Sequence, residues 1–294
     1  MRAMLIATTL VTLFLCGPLW GQTPQSRAEP TLACGHFTQD PLPPPKPRET
    51  ASAKKRFEEI NAAVRTQPYR VIFFGDSLTE RFETWDAPQL WQQHMAARSV
   101  LNAGVSGDLT EHLRWRLHNG NLDGPPPEGI VLLIGTNDLG LGRSADDTAE
   151  GIRANLLRLR EKVPGAPILL LALWPRGGDP DSKFRGPIRE FNNLIRSCGD
   201  NRGVIYADIG GVLLESDGRL SKAISPDLLH FNRTGYERLV PKLDQLIDSP
   251  PPTSTPRLRP RGRGTGIIAL VQRGVRVLTA NGDDLTDNSD RPAR

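Results

Sequence analysis

Val71-Ile72-Phe73-Phe74-Gly75-Asp76-Ser77-Leu78 reads as a buried strand that ends in a tight glycine turn and opens directly into a helix. Consecutive apolar residues suit a strand covered on both faces, the habit of parallel sheets. Such a turn leaves the Ser77 hydroxyl at the lip of the sheet. The helix N-terminus beside it favours developing negative charge through its free N–H groups and dipole. A nucleophilic serine has to stand in such a place. Taken alone, Gly-Asp-Ser is also an ordinary strand-to-helix turn with a capping residue.

Working outward, a short helix fits Ser52 to Val64, and strands and helices then alternate. Short apolar runs at 70–74, 99–102, 130–134, 168–173 and 203–206 read as strands; helical stretches fall near 79–97, 109–118, 145–162, 185–197 and 234–247. This alternation predicts an α/β fold: a parallel, doubly wound sheet with helices on both faces, a three-layer α/β/α sandwich. Sites in such sheets lie at the carboxyl ends of the strands, and Ser77, Gly107 and Asn137 each follow a strand closely.

The 294 residues suffice for one substantial core. Arg2, the apolar stretch Leu5 to Leu19 and Trp20-Gly21-Gln22 read as a signal peptide over residues 1–21. The stretch is short for a membrane span, so the expectation is an exported protein, periplasmic or extracellular, with no stable membrane insertion after cleavage. Residues 22–50, with Asp40-Pro41-Leu42-Pro43-Pro44-Pro45-Lys46-Pro47, read as a Pro-rich linker, 51–249 as the folded domain, and 250–294 as an Arg/Gly/Pro-rich, disordered tail.

The sequence pI of about 9.1 misleads. Of 37 Lys+Arg and 33 Asp+Glu, Arg2 and the eight Arg and four Asp beyond Pro250 lie outside the body, which holds 28 basic and 29 acidic residues. A nucleic-acid partner is not supported for the folded part. With Cys16 in the signal segment, Cys34 and Cys198 remain, either as a disulfide worth ~4 kcal/mol in the chain-entropy model or as two separate buried thiols. No Cys/His cluster has metal-ligand spacing, so no metal is expected.

Acyl transfer needs a nucleophile, a base, a group that orients the base, and donors for the oxyanion. Among the five histidines, His36 lies in the Pro-rich segment, His94 and His118 in or at the end of helices, and His112 one turn into a helix. Only His230 stands on a pre-helix loop with a carboxylate, Asp227, three residues earlier. That spacing lets Asp227 accept one ring N–H while the other nitrogen faces Ser77; Asp-x-x-His also occurs as a purely structural pair. Gly104-Val105-Ser106-Gly107-Asp108 allows a backbone N–H to approach a ligand closely, and is at the same time a helix-capping turn. Asn137, in Gly135-Thr136-Asn137-Asp138, can present its side-chain amide to the same point or close an Asx turn.

Gly75-Asp76-Ser77-Leu78, Gly107, Gly135-Thr136-Asn137-Asp138 and Asp227-Leu228-Leu229-His230 together resemble the four blocks of the SGNH (GDSL) hydrolase family, from about Tyr69 to Ile247. Within it the chain most resembles the platelet-activating-factor acetylhydrolase alpha-subunit-like group. The segments that carry this are Leu101 to Thr110, Trp115-Arg116-Leu117-His118-Asn119-Gly120 and Leu173-Trp174-Pro175-Arg176-Gly177. The resemblance implies a flavodoxin-like sandwich and no cofactor. It makes Ser77 the nucleophile, with its own N–H, the Gly107 N–H and the Asn137 side chain as oxyanion donors, and His230 the base oriented by Asp227.

Leu78, Thr136 and Leu229 each adjoin one of these residues and are read as walls that narrow an acyl pocket; Trp174 and Arg176 either edge the cleft or form a packed loop. The expectation is a serine esterase acting on a small-molecule or glycan acyl ester, with acetyl preferred and carbohydrate as the carrier. Two alternatives stay open: a lysophospholipase or thioesterase of broad specificity, and a catalytically silent sugar-binding module.

Overall fold

Five strands form one all-parallel sheet in the order β2-β1-β3-β4-β5: β1 (Val71–Gly75), β2 (Val100–Gly104), β3 (Gly129–Leu133), β4 (Ile168–Leu171) and β5 (Val204–Ala207). The computed structural model describes residues 31–200 and 203–248. The expected signal peptide, the first residues of the linker and the 250–294 tail lie outside the described residues.

Every residue of β1 and β4 is buried, because helices cover both faces of the sheet. These helices are α1 (Ala51–Thr66), α2 (Ser77–Arg81), α3 (Pro88–His94), α4 (Thr110–His118), α5 (Thr136–Gly140), α6 (Ala145–Lys162), α7 (Arg185–Arg196) and α8 (Arg233–Asp248). α6 packs between α4 and α7, and α3 packs on α8. The protein is thus a three-layer, flavodoxin-like α/β/α sandwich. Local chemistry sets the boundaries. The Thr50 hydroxyl accepts from the Ala53 N–H at the start of α1, and the Ser144 hydroxyl from the Asp147 N–H at the start of α6. Along α6, Ala145, Ala149, Ile152, Leu156 and Leu159 give the apolar stripe that faces the core.

The stretch 79–97, expected as one helix, is broken. α2 runs into a π-helical turn at Phe82–Asp86, α3 follows, and a 3₁₀ turn closes at Ala96–Arg98. Pro88 is the cause. It has no N–H to continue the ladder and drives the preceding Ala87 out of the helical region, to φ −152° and ψ 53°. Two Arg81–Asp86 hydrogen bonds of 2.9 Å brace the turn.

Residues 31–50 contain no helix or strand, yet they are a strap pinned to the body rather than a free spacer. Cys34 is joined by a disulfide to Cys198, 164 residues later. The His36 ring and the Phe37 N–H both bond the Glu150 carboxylate, Arg114 donates to the Pro43 carbonyl, and Lys46 pairs with Glu111. All of these partners lie far along the chain. Cross-linking so long a loop constrains the unfolded chain strongly. Replacing both Cys34 and Cys198 with Ser is therefore expected to lower the unfolding free energy by about 2–5 kcal/mol. Urea titrations of the two proteins check this through the shift in midpoint.

Candidate active site

In a sheet ordered 2-1-3-4-5 the chain turns in opposite directions after β1 and β3, and the crevice between their carboxyl ends is where ligands bind. Ser77 follows β1 and Asn137 follows β3, so both stand at that crevice; Gly107 follows β2, on the other side of β1. Gly75 pairs with Gly104 on one side and with Leu133 on the other, which puts the three loops side by side.

The β1 turn requires its glycine. A Cβ at Gly75 would lie 2.1 Å from the Thr79 hydroxyl and 2.8 Å from the Leu133 carbonyl oxygen. Asp76 then caps α2, its carboxylate accepting from the Leu78 N–H at 2.9 Å. Burial pushes the Asp76 carboxyl up to about 7, against the pull of that hydrogen bond. Ser77 is the first residue of α2, so its own N–H has no acceptor within the helix.

The Ser77 Oγ lies 2.8 Å from Nε2 of His230, and Nδ1 of His230 lies 2.7 Å from Oδ2 of Asp227. The other Asp227 oxygen accepts the backbone N–H groups of Leu229 at 3.0 Å and His230 at 2.7 Å. One carboxylate therefore shapes the loop and aims the ring it carries. The loop also holds Leu228 at φ +60°, a left-handed conformation that is strained for a leucine, fixed by bonds from Leu228 N–H to Ser225 and from Gly177 N–H to the Leu228 carbonyl. Burial raises the Asp227 pKa, but the His230 ring bond and the two backbone donors outweigh it and hold the carboxyl below its usual range. It stays ionised wherever folded carboxylates ordinarily do.

Gly107 has φ +79°, and among the described residues its N–H has no backbone acceptor. Asn137 donates one amide hydrogen to the Asp108 carbonyl at 3.0 Å, which ties the β2 loop to the β3 loop and leaves its second hydrogen for a ligand. The Asp108 side chain is buried on Arg116 at 2.8 Å, and that of Asp138 accepts both the N–H and the hydroxyl of Thr110. A hydroxyl bonded to an imidazole that is bonded to a carboxylate can lose its proton to the ring as it attacks a carbonyl. Donors on the neighbouring loops can receive the resulting oxyanion.

The residues read as pocket walls are placed unevenly. Leu78 and Trp174 are each 2% exposed and belong to the core: the Leu78 carbonyl accepts the Tyr236 hydroxyl, and the Trp174 ring packs edge-on against Phe231 and Tyr236 behind the His230 loop. Thr136 is buried, and its carbonyl accepts from Arg176, whose guanidinium lies over the Phe184 ring. Leu229 and Arg176 are half-buried. Three of the other four histidines find other work. His94 bonds Asp244, His36 bonds Glu150, and Nδ1 of His112 accepts the Leu109 N–H at the start of α4, while burial lowers its pKa to about 4. Asn232, part of an Asn-Arg-Thr glycosylation sequon, instead caps α8 through the Gly235 N–H and donates to the Ala223 carbonyl. Among the described residues no cluster of His, Cys, Asp and Glu is arranged to hold a metal ion.

Residues 73–238 match the sequence profile of the GDSL-like Lipase/Acylhydrolase family. The chain is 31% identical over 210 residues to the platelet-activating factor acetylhydrolase IB subunit beta homolog of Drosophila melanogaster, covering 69% of this chain and 90% of that protein. It is 29% identical over 214 residues to the human platelet-activating factor acetylhydrolase IB subunit alpha1, covering 71% and 90%. Among solved structures, a GDSL-like lipase from Bacteroides thetaiotaomicron superposes with a TM-score of 0.55 at 19% identity, covering 66% of this chain and 96% of that one.

Proposed function

Because the chain belongs to the GDSL-like lipase/acylhydrolase family and is a carboxylic ester hydrolase, we propose that it removes acetyl and other short acyl groups, through an acyl-Ser77 intermediate, from carbohydrate esters outside the cytoplasm. The observation that carries the reading is the chain of contacts Ser77–His230–Asp227, at 2.8 and 2.7 Å. Ser77 Oγ bonds to the ester carbonyl carbon while Nε2 of His230 takes its proton. The N–H groups of Ser77 and Gly107 and the amide of Asn137 hold the oxyanion. The C–O bond to the alcohol then breaks and His230 returns the proton to the leaving oxygen. Water, deprotonated by the same ring, attacks the acyl-serine; acetate leaves and Ser77 recovers its proton.

The short acyl group is supported by the acetylhydrolase names of the relatives and by Thr136 and Leu229, which adjoin Asn137 and His230. Export is supported by the Cys34–Cys198 disulfide, since such bonds persist in oxidising compartments. No helix among the described residues is long and apolar enough to cross a membrane. Carbohydrate is supported by Trp85, on the turn that continues α2 from Ser77. It is 76% exposed, with the Arg81 guanidinium 5.7 Å from its ring centre, and offers a flat apolar face with a hydrogen-bonding group beside it.

Hydrolysis of p-nitrophenyl acetate, butyrate and octanoate tests the acyl preference. The expected result is a kcat/KM for acetate at least about 10-fold above that for octanoate, because close walls reject added methylenes by clash. Release of acetate from O-acetylated xylan tests the carrier. A preference for octanoate would contradict the acetyl reading.

A further inference from the structure

We propose that Arg48, on the strap that precedes α1, is a positioning residue that holds the Gly107 carbonyl and thereby limits rotation about the Gly107 Cα, so that the N–H on the other side of that Cα points at the oxyanion. This rests on the reading of Gly107 as a donor for the acyl transfer. An Arg48 Nη donates to the Gly107 carbonyl at 2.9 Å. The guanidinium also covers the Cα of Gly107: a Cβ built there would lie 2.4 Å from one Arg48 Nη and 2.6 Å from its Cζ. Arg48 thus occupies the space a side chain would take and grips the carbonyl of a residue that has none.

Gly107 needs such a hold. At φ +79°, with no Cβ, its backbone has little intrinsic preference against rotation. Its neighbours are tied down: Ser106 N–H to Glu80, Asp108 N–H to the Val105 carbonyl, the Asp108 carbonyl to Asn137 and the Asp108 carboxylate to Arg116. Among the described residues only Arg48 bonds the Gly107 carbonyl oxygen, on the Asp108 side of its Cα. An oxyanion donor contributes fully only when its direction is set before the charge develops.

The bond is not needed to seat the strap. The disulfide, the Glu150 bonds, Lys46–Glu111 and Arg114–Pro43 hold it on one side of Arg48, and the Thr50 cap on α1 holds it on the other. Among the described residues the Arg48 Nε is buried without a hydrogen-bond partner, so the bond to Gly107 goes through its Nη alone. The guanidinium also lies close enough to Asp108 and His112 for its charge to act on both.

The test uses the full chain and two variants, Arg48→Ala and Arg48→Lys. Each is assayed on p-nitrophenyl acetate, with active sites counted by a serine-reactive phosphonate and melting followed in parallel. The expected result for Arg48→Ala is a kcat per labelled site about 10- to 100-fold lower, with KM within about 2-fold of wild type. Arg48→Lys, which keeps a charge and a donor, recovers part of that loss. A kcat per labelled site equal to wild type in Arg48→Ala overturns the proposal, whether or not melting falls, since a merely structural role reduces the number of sites and not their turnover. A loss confined to KM, or Arg48→Lys no better than Arg48→Ala, overturns it as well. Wild-type protein that neither hydrolyses the ester nor takes the label would instead defeat the acyl-serine reading, and is told apart by that control.

Discussion

Replacing Ser77 with Ala lowers kcat for p-nitrophenyl acetate by at least about 10⁴-fold, while the protein melts close to wild type. The size of the loss follows from what the hydroxyl does. Without it no acyl-enzyme forms, and only water attacking within the oxyanion donors remains, a residue of catalysis that these donors alone sustain. The stability expectation follows from the site. Among the described residues the hydroxyl's one side-chain hydrogen bond is to His230, and its removal frees a nitrogen of a half-buried imidazole rather than orphaning a fully buried group. Steady-state kinetics, with the variant purified apart from any wild-type enzyme, and a melting curve check both halves.

Asp227→Asn is expected to lower kcat by about 10³- to 10⁴-fold at neutral pH with little change in KM. The amide oxygen of Asn can still accept the Leu229 and His230 N–H groups, so the loop keeps its shape. Its NH₂ group then faces Nδ1 of His230 and forces that nitrogen to be the acceptor. The ring proton moves to Nε2 and points at Ser77, and the base can no longer take the serine proton. The same change hardly touches folding, because the Asp227 side chain is 54% exposed and an ion pair so open to water adds little. A kcat loss without a fall in melting temperature separates the tautomer argument from simple unfolding.

Much of this arrangement is legible in the chain itself. The apolar run into Gly75 and Ser77 identifies β1 and the start of α2, because a buried parallel strand and a glycine turn leave strong local marks. Asp227 and His230 are legible because a three-residue spacing on a pre-helix loop lets one carboxylate reach both backbone and ring. The break at Pro88 was also written locally, in a proline whose ring ends one helical segment and starts the next. What escapes is decided by distant partners. Leu78 adjoins Ser77 and Trp174 follows β4, yet both are buried in the core, where the Tyr236 hydroxyl bonds the Leu78 carbonyl and Phe231 and Tyr236 pack on the Trp174 ring. Residues 31–50 have neither helical nor strand periodicity, and their bonds reach Glu111, Glu150 and Cys198. Arg48 carries no local signal at all, since its partner lies 59 residues away.

The central claim is that Ser77, activated by His230, carries the acyl group. Treating the protein with a p-nitrophenyl phosphonate and mapping the adduct by peptide mass spectrometry tests it most directly. The account predicts one phosphonyl group per chain, on Ser77, with labelling slowed by orders of magnitude in His230→Ala. Ester hydrolysis that persists with Ser77 unlabelled, or an adduct on a different residue, would contradict it.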